Sequence, residues 1–540
     1  MLPLSISVLA SIASVLLLCY RYLIYPSFIS PLARIPNAHW SSPISPLWIL
    51  LTRYHWRENR EVHAAHLKHG PIVRLGPTEI SVNDVGGLRT IYAGGFEKGQ
   101  WYSIFDNYGV PCMFSSWHSR PHSVRKRFIS HVYSKSSIQN SPAVHRYSQG
   151  ILYDRLLPII SAAATASTAV DVLDIWNGAT MDFVTAYLFG LKNSSNFLQD
   201  EEFRKHWLGQ YQGRKKYTFF PQELPRLTRF FRALGIHLVP AWVDDANKEL
   251  EAWTKSRCAS TVAYLETQAA SDPDPANVPS VVGALLAGIE KEKSAKGTGS
   301  VLQATTLTYP ELSIASEMID HLAAGHETSG ITLTYLSWHL SQDLSLQARL
   351  REELLTLSPN CLLDSDRQSG MKPVPNSKEL DGLPLLHAIV METLRLESPI
   401  PGGQPRMTPY PSCTIGPYQV PGGIRVESQA YSLHRNEDVF PEPEKWDYRR
   451  WLDGKGQGGL DLTEEQKRER DRCFWAFSSG GRMCVGSNLA MHQIKLLAAA
   501  VYTNFMTHIV NDDGIEQTDG YTCGPTGNKL LLRFERVPSV

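Results

Sequence analysis

Phe477-Ser478-Ser479-Gly480-Gly481-Arg482-Met483-Cys484-Val485-Gly486 frames one cysteine with glycines and runs directly into the helical stretch SNLAMHQIKLLAAAVYTNF. Glycines on both sides let the backbone turn tightly around a single side chain. A sulfur just ahead of a helix N-terminus feels the positive end of the helix dipole and can accept from nearby N–H groups, so the thiolate is favoured over the thiol. That is a ligand's environment. An isolated cysteine is otherwise most often a small buried core residue, and the choice rests on what the rest of the chain supplies.

Upstream, Glu392-Thr393-Leu394-Arg395 puts a carboxylate and a guanidinium three apart on one face of a helix expected over LPLLHAIVMETLRL. Alone, such a pair is an ordinary surface ion pair worth about 0.2–0.5 kcal/mol. Further upstream lies the clearest helix, expected from about Thr308 to Leu344, with Thr308 as its cap, Glu311 three residues later as in a capping box, and Pro310 in its first turn. A helix of about 50 Å, apolar on more than one face, is expected to cross the middle of a domain. It carries Ala324-Gly325-His326-Glu327-Thr328-Ser329. Glycine inside a helix costs roughly 1 kcal/mol relative to alanine, so Gly325 calls for a reason.

In this order the motifs resemble those of the cytochrome P450 superfamily. The decapeptide matches its haem-binding signature F-x-x-G-x-R-x-C-x-G at every fixed position. The resemblance implies that Cys484 is the proximal thiolate of haem b, pushing electron density toward the iron, that Arg482 pairs with a propionate, and that Phe477 packs beside the sulfur. The central-helix string matches A/G-G-x-D/E-T-T/S, which implies that Thr328 holds a water near the reacting oxygen, that Glu327 relays protons inward, and that Gly325 admits haem and dioxygen close to the backbone. His326 falls on a variable position and is read as a satisfied polar residue rather than a metal ligand. FPEPEKWDYRRWL, residues 440 to 452, resembles the family's P-E-R-F region. Glu392, Arg395 and Arg450 then form a structural charge triad; Tyr448 and Arg449 stand where proline and glutamate are usual, so Arg449 remains a rival to Arg450.

Two more basic places suit propionates. Arg406, in PGGQPRMTP, resembles the family position of a propionate-binding arginine, and His122 and Lys126 occupy the W-x-x-x-R positions, with Arg125 and Arg127 adjacent. A histidine keeps the ring N–H donor of the tryptophan it replaces. The alternative is a solvated basic face, which would also suit docking of an acidic redox partner.

The fold implied is mainly α, the haem lying between the central helix and the cysteine loop, with one catalytic domain over 40–540 and a smaller β-rich portion near the N-terminus, where PIVRLG and EISVND read as strands. The activity implied is monooxygenation of a lipophilic small molecule by dioxygen, with wording similar to fungal members of secondary metabolism. Electrons are expected from NADPH through a separate reductase, and cytochrome b5 is a possible second donor, because no Gly-rich dinucleotide fingerprint follows a strand. Substrate walls are expected from Phe105 to Phe114, the central helix near His321, Pro399 to Gly403, and Thr522 to Pro525. Two other readings keep the haem: an isomerase or dehydratase, against which the Glu327-Thr328 pair argues, and a sensor without turnover.

The remainder of the chain agrees. The 540 residues carry 53 basic and 53 acidic side chains, so no electropositive field for nucleic acid exists. Eight scattered cysteines without CxxC pairs suit a reducing compartment. Leu2 to Tyr20 has no charged residue, and Arg21 and Arg34 follow it; residues 1–25 are expected to be an uncleaved transmembrane signal anchor in the endoplasmic reticulum, the rest cytosolic. The alternative is a cleaved secretory peptide, in which case the sequon Asn193-Ser194-Ser195 would matter. Pro26, Pro31 and Pro36 mark 26–39 as a stiff hinge. The aromatic stretch YTFFPQELPRLTRFFRALGIHLVPAW, ending at Trp242, reads either as a core helix pair or as a surface dipping into lipid. Residues 453–472, Gly-rich then densely charged, read as a solvated insertion.

Overall fold

Pro310–Ser341 is one 32-residue helix through the middle of the molecule, buried on most of its faces. Its start differs from the expectation. Tyr309 is the cap and offers no side-chain bond, because Thr308 is drawn into the preceding turn, where its hydroxyl donates to the Gln303 carbonyl at 2.5 Å. The helix ends at Ser341, and Asp343 caps a new one, Leu344–Leu355, by accepting from the Leu346 N–H at 2.9 Å. The computed structural model describes residues 6–268, 271–272, 274–363, 372–454 and 458–538. The start of the expected anchor and residues 455–457 of the Gly-rich segment lie outside them.

Val172–Phe189, buried along almost its whole length, packs against the central helix. Gly325 is explained by that contact: a Cβ there would stand 2.6 Å from Val184 Cγ2. Close packing of two helices is by itself enough to exclude a side chain at this position. Pro384–Leu396 and Ser487–Asn504 pack on other sides of the same helix, so the E-x-x-R pair and the cysteine loop are fixed to one scaffold.

The molecule is mainly α, with three small sheets among the described residues. In the four-stranded sheet, Ile72–Gly76 and Glu79–Val82 form the expected N-terminal hairpin, but Glu79–Val82 also runs parallel to Arg425–Glu427, which pairs with Arg406–Met407. Ser412–Ile415 pairs with Tyr418–Pro421, and Leu531–Arg536 lies between Ala169–Asp171 and Phe505–Asn511. The β portion is thus assembled largely from the C-terminal half, which corrects its placement near the N-terminus.

Ile6–Cys19 continues with wider turns through Tyr20–Ile29, Pro26 included. Val8–Ile29 is 22 residues with mean hydropathy 1.8 and none of it buried, long and apolar enough to cross a membrane. Residues after Ser30 do not stand free as a hinge. Leu32 and Ile35 are buried in the core beneath the four-stranded sheet, and the buried Arg74 guanidinium donates to the Pro26 carbonyl at 2.7 Å. Glu464–Cys473 in the charged insertion is a largely exposed helix with a Thr463–Gln466 capping box.

Candidate functional site

The turn Gly480–Arg482 brings Cys484 to the head of Ser487–Asn504. Gly480 has φ +72°, and a Cβ there would meet the Tyr92 carbonyl oxygen at 2.2 Å, so only glycine makes this turn. The Cys484 N–H donates to the Phe477 carbonyl at 3.0 Å, which closes the loop; Phe477 packs against the main core. The Gly486 and Ser487 N–H groups at the helix head favour the Cys484 thiolate. Cys484 itself is exposed, and the protein packed around it nevertheless raises its thiol by desolvation, against those N–H groups and the nearby Lys126. A cation bound at the sulfur would favour the thiolate further, as the N–H groups at the helix head do.

Beside this loop four basic groups converge with little counter-charge. Arg482 donates to the Trp117 carbonyl at 2.9 Å and pairs with Glu97 at 3.2 Å. Arg406 is held by Tyr102 Oη at 2.8 Å over the face of Tyr92. Lys126 donates to the Gly481 carbonyl at 2.9 Å. Lys98, which sequence reasoning missed, donates to the Phe114 carbonyl at 2.6 Å and lies over the rings of Tyr102 and Phe114. Burial and then the charges of Arg406 and Arg482 pull the Lys98 ammonium well below its usual range. His122 is driven to about 2 by burial first, then by Arg482, Lys98, Lys126 and Arg406. A cluster in which each cation depresses its neighbours fits a ligand bearing two carboxylates, as the haem propionates are. Arg125 is turned away to Ser116, Thr305 and Thr306, and Arg127 is exposed.

On the central helix the Thr328 hydroxyl donates to the Ala324 carbonyl at 2.7 Å. Glu327 forms an ion pair with Lys215 and accepts from Tyr211 Oη at 3.1 Å. His326 Nδ1 bonds the Leu322 carbonyl at 2.6 Å, and burial pulls it to about 3, a neutral ring satisfied within the helix. Ala324, Glu327 and Thr328 line a cavity of about 550 Å³ with Phe105, Phe114, Gly402 and Thr522. All four stretches expected as substrate walls thus reach it, although Asp320 takes the place of His321, which faces Tyr133 at 2.8 Å. The segment 211–223 supplies a further wall that the sequence did not suggest.

Glu392 and Arg395 are fully buried and doubly bonded at 2.8 and 2.9 Å. Arg450 Nε donates to Glu392 at 3.2 Å, as does Trp451 Nε1 at 2.8 Å. Arg449 pairs with Asp447 instead.

The family model for cytochrome P450 matches residues 41–532. Among curated proteins the chain is similar to a cytochrome P450 monooxygenase of Aspergillus niger, 24% identical with 96% of each chain covered. One from Gibberella zeae is 25% identical over 98% of this chain and 96% of its own, and tryprostatin B 6-hydroxylase of Aspergillus fumigatus is 26% identical over 92% and 79%. With that match spanning the Cys484 loop, the central helix and the Glu392 network alike, the chain belongs to the cytochrome P450 family and is a haem-thiolate monooxygenase.

Proposed function

We propose that this protein hydroxylates or otherwise oxygenates a lipophilic secondary metabolite, using electrons from NADPH delivered by a separate reductase, with cytochrome b5 as an auxiliary donor. The observation that carries it is the Cys484 loop, turned at Gly480 and closed by the bond from the Cys484 N–H to the Phe477 carbonyl, beside the under-neutralised cluster of Lys98, Arg406, Arg482 and Lys126. Cys484 would ligate haem b, those cations and His122 would hold its propionates, and Phe477 would pack beside the ligand. Bound there, the haem supplies reductive activation of dioxygen. Thr328 would hold a water and Glu327 would relay inward the protons that this chemistry consumes, and Glu392, Arg395 and Arg450 keep the cysteine side of the core rigid.

Residues 1–25 act as the anchor in the endoplasmic reticulum membrane, 26–39 lead from it, and 40–540 form the catalytic body on the cytosolic face. Leu227, Phe230, Leu234, Ile236 and Trp242 are exposed, which supports the lipid-dipping reading of that stretch over the core-pair one. The test is reconstitution with reductase in lipid: product must require both NADPH and dioxygen and contain one atom from labelled dioxygen. Turnover without either would restore the isomerase or dehydratase reading, and spectral ligand binding without NADPH consumption the sensor reading.

A further inference from the structure

Asp320 stands one helical turn before Ala324 and two before Thr328, and like both it lines the cavity. Most other carboxylates there are matched by cations: Glu58 and Glu223 by Arg53, Glu327 by Lys215, Asp244 by Arg232 and Asp519 by Arg60. Glu251 accepts instead from the Tyr108 N–H at 3.4 Å, and Asp106, at the edge formed by Phe105 to Asn107, has no ion pair among the described residues but does not lie on the central helix. Asp320 pairs with no lysine or arginine among the described residues, and the nearby Cys112 thiol donates to the Phe105 carbonyl at 3.7 Å and to Ser115 Oγ at 3.5 Å.

Its ionisable neighbours are engaged elsewhere. Lys98 donates to the Phe114 carbonyl at 2.6 Å, and the His321 ring bonds Tyr133 through Nδ1 and faces Glu317 Oε1 at 3.3 Å through Nε2. Burial first, with a further push from Glu317 against the pull of His321 and Lys98, drives the Asp320 carboxyl up to about 7. That is the behaviour of an acid lacking a counter-ion.

The same cavity is walled by aromatic rings. Phe105 packs on Phe114 at 5.0 Å and on Tyr521 at 5.9 Å between centroids, and Trp101 on Tyr521 at 5.3 Å. Tyr211 lines it as well. Ring faces bind a cation whose charge is diffuse and weakly hydrated, and a carboxylate among them selects such a cation over a neutral group of the same shape. An uncharged hydrocarbon would offer Asp320 no counter-charge and leave its carboxyl to take up a proton instead.

We infer that the cavity selects lipophilic molecules carrying a positively charged nitrogen, with Asp320 as the counter-ion and the aromatic wall around it. This narrows the substrate class and rests on the oxygenase reading above. The nitrogen lies on the central-helix side of the cavity, away from the paired charges of Arg53, Glu58 and Glu223.

Two probes of one shape test it: 4-phenylbutyltrimethylammonium, whose nitrogen has no lone pair to ligate iron, and its carbon isostere, (5,5-dimethylhexyl)benzene. Each is titrated into haem-loaded full-length protein, and the dissociation constant is read from the Soret difference spectrum. Asp320→Asn is expected to weaken the ammonium about tenfold or more while changing the hydrocarbon by no more than about twofold, and Asp320→Glu to retain the preference. Equal loss for both probes, or unchanged ammonium affinity in Asp320→Asn, overturns the inference. So does one zinc ion retained per haem after dialysis and lost in His321→Ala, which would give Glu317, Asp320 and His321 to a metal. The ferrous carbon-monoxide spectrum of the same samples separates the two levels. Its absence in the unmutated protein strikes the haem-thiolate reading, whereas a normal band with no ammonium preference strikes only this inference.

Discussion

Lys215 and Glu327, 112 residues apart in the chain, form an ion pair across the cavity. The lysine comes from the short turn Arg214–Tyr217 and the glutamate from the central helix. Lys215→Met leaves the carboxylate with Tyr211 as its remaining partner, and the expected result is poorer coupling of NADPH oxidation to product at unchanged haem content. Because a quarter of the lysine side chain stays exposed, the stability loss should be about 1–3 kcal/mol, below the ~3–5 of a fully buried pair. Lys215→Arg should recover most of the coupling; equal coupling in all three proteins would mean that the pair is only a brace.

Cys484→Ala should abolish the strongly red-shifted Soret band of the reduced carbon-monoxide complex. Cys473, buried eleven residues earlier and pushed up to about 11 by its burial, lacks the glycine frame, and Cys473→Ala should keep the band. An unchanged band in Cys484→Ala removes the ligand assignment.

Thr328→Ala removes a hydroxyl whose bond is to its own helix, so haem content and ligand binding should hardly change. Product formation should fall while NADPH is still consumed, with hydrogen peroxide or water released instead. Loss of one positioned proton donor costs roughly 10²- to 10⁴-fold in the step it serves. Full coupling in both Thr328→Ala and Glu327→Gln would show that protons arrive by another route.

Glu392→Gln keeps the shape of the side chain but leaves the Arg395 and Arg450 guanidinia buried without their anion. A loss of about 3–5 kcal/mol is expected, seen as a lower melting temperature and haem-depleted protein. Arg449→Ala, whose partner is Asp447 at a half-exposed position, should cost less than about 1 kcal/mol.

His492 is buried, neither ring nitrogen has a hydrogen-bond partner, and burial lowers it from 6.5 to about 4. The unfolded chain therefore takes up this proton first on acidification, so stability from this site is present above pH 6.5 and lost as pH falls toward 4. Relative to the unmutated protein, His492→Leu should gain about 1.4 kcal/mol for each pH unit below 6.5 across that window. Thermal melts from pH 7 to 5 measure it, and a pH-independent difference would contradict it.

What the sequence made legible was local. The glycine frame of Cys484, the length of the central helix and the three-residue spacing of Glu392 and Arg395 are periodicities and turns, set by neighbours in the chain. Arg450 could not be separated from Arg449 because one residue of register in a short turn decides which guanidinium faces inward. Lys98, Lys215 and Asp320 were invisible because their meaning lies in partners more than a hundred residues away, or in the lack of one. Thr308 misled for a related reason: the turn before the helix competes for its hydroxyl.

The parallel pairing of Ile80 with Val426 sets an order of events in the life of the molecule. The sheet that holds Arg425 at the cavity waits for a strand made long after its partner Glu79–Val82, and Cys484 follows later still. Contacts this distant in the chain form slowly and only after their second half exists. Closure of the cysteine side is therefore a late event in folding, and a transcript truncated after the central helix yields a polypeptide lacking both the Cys484 loop and the strand that pairs with Glu79–Val82.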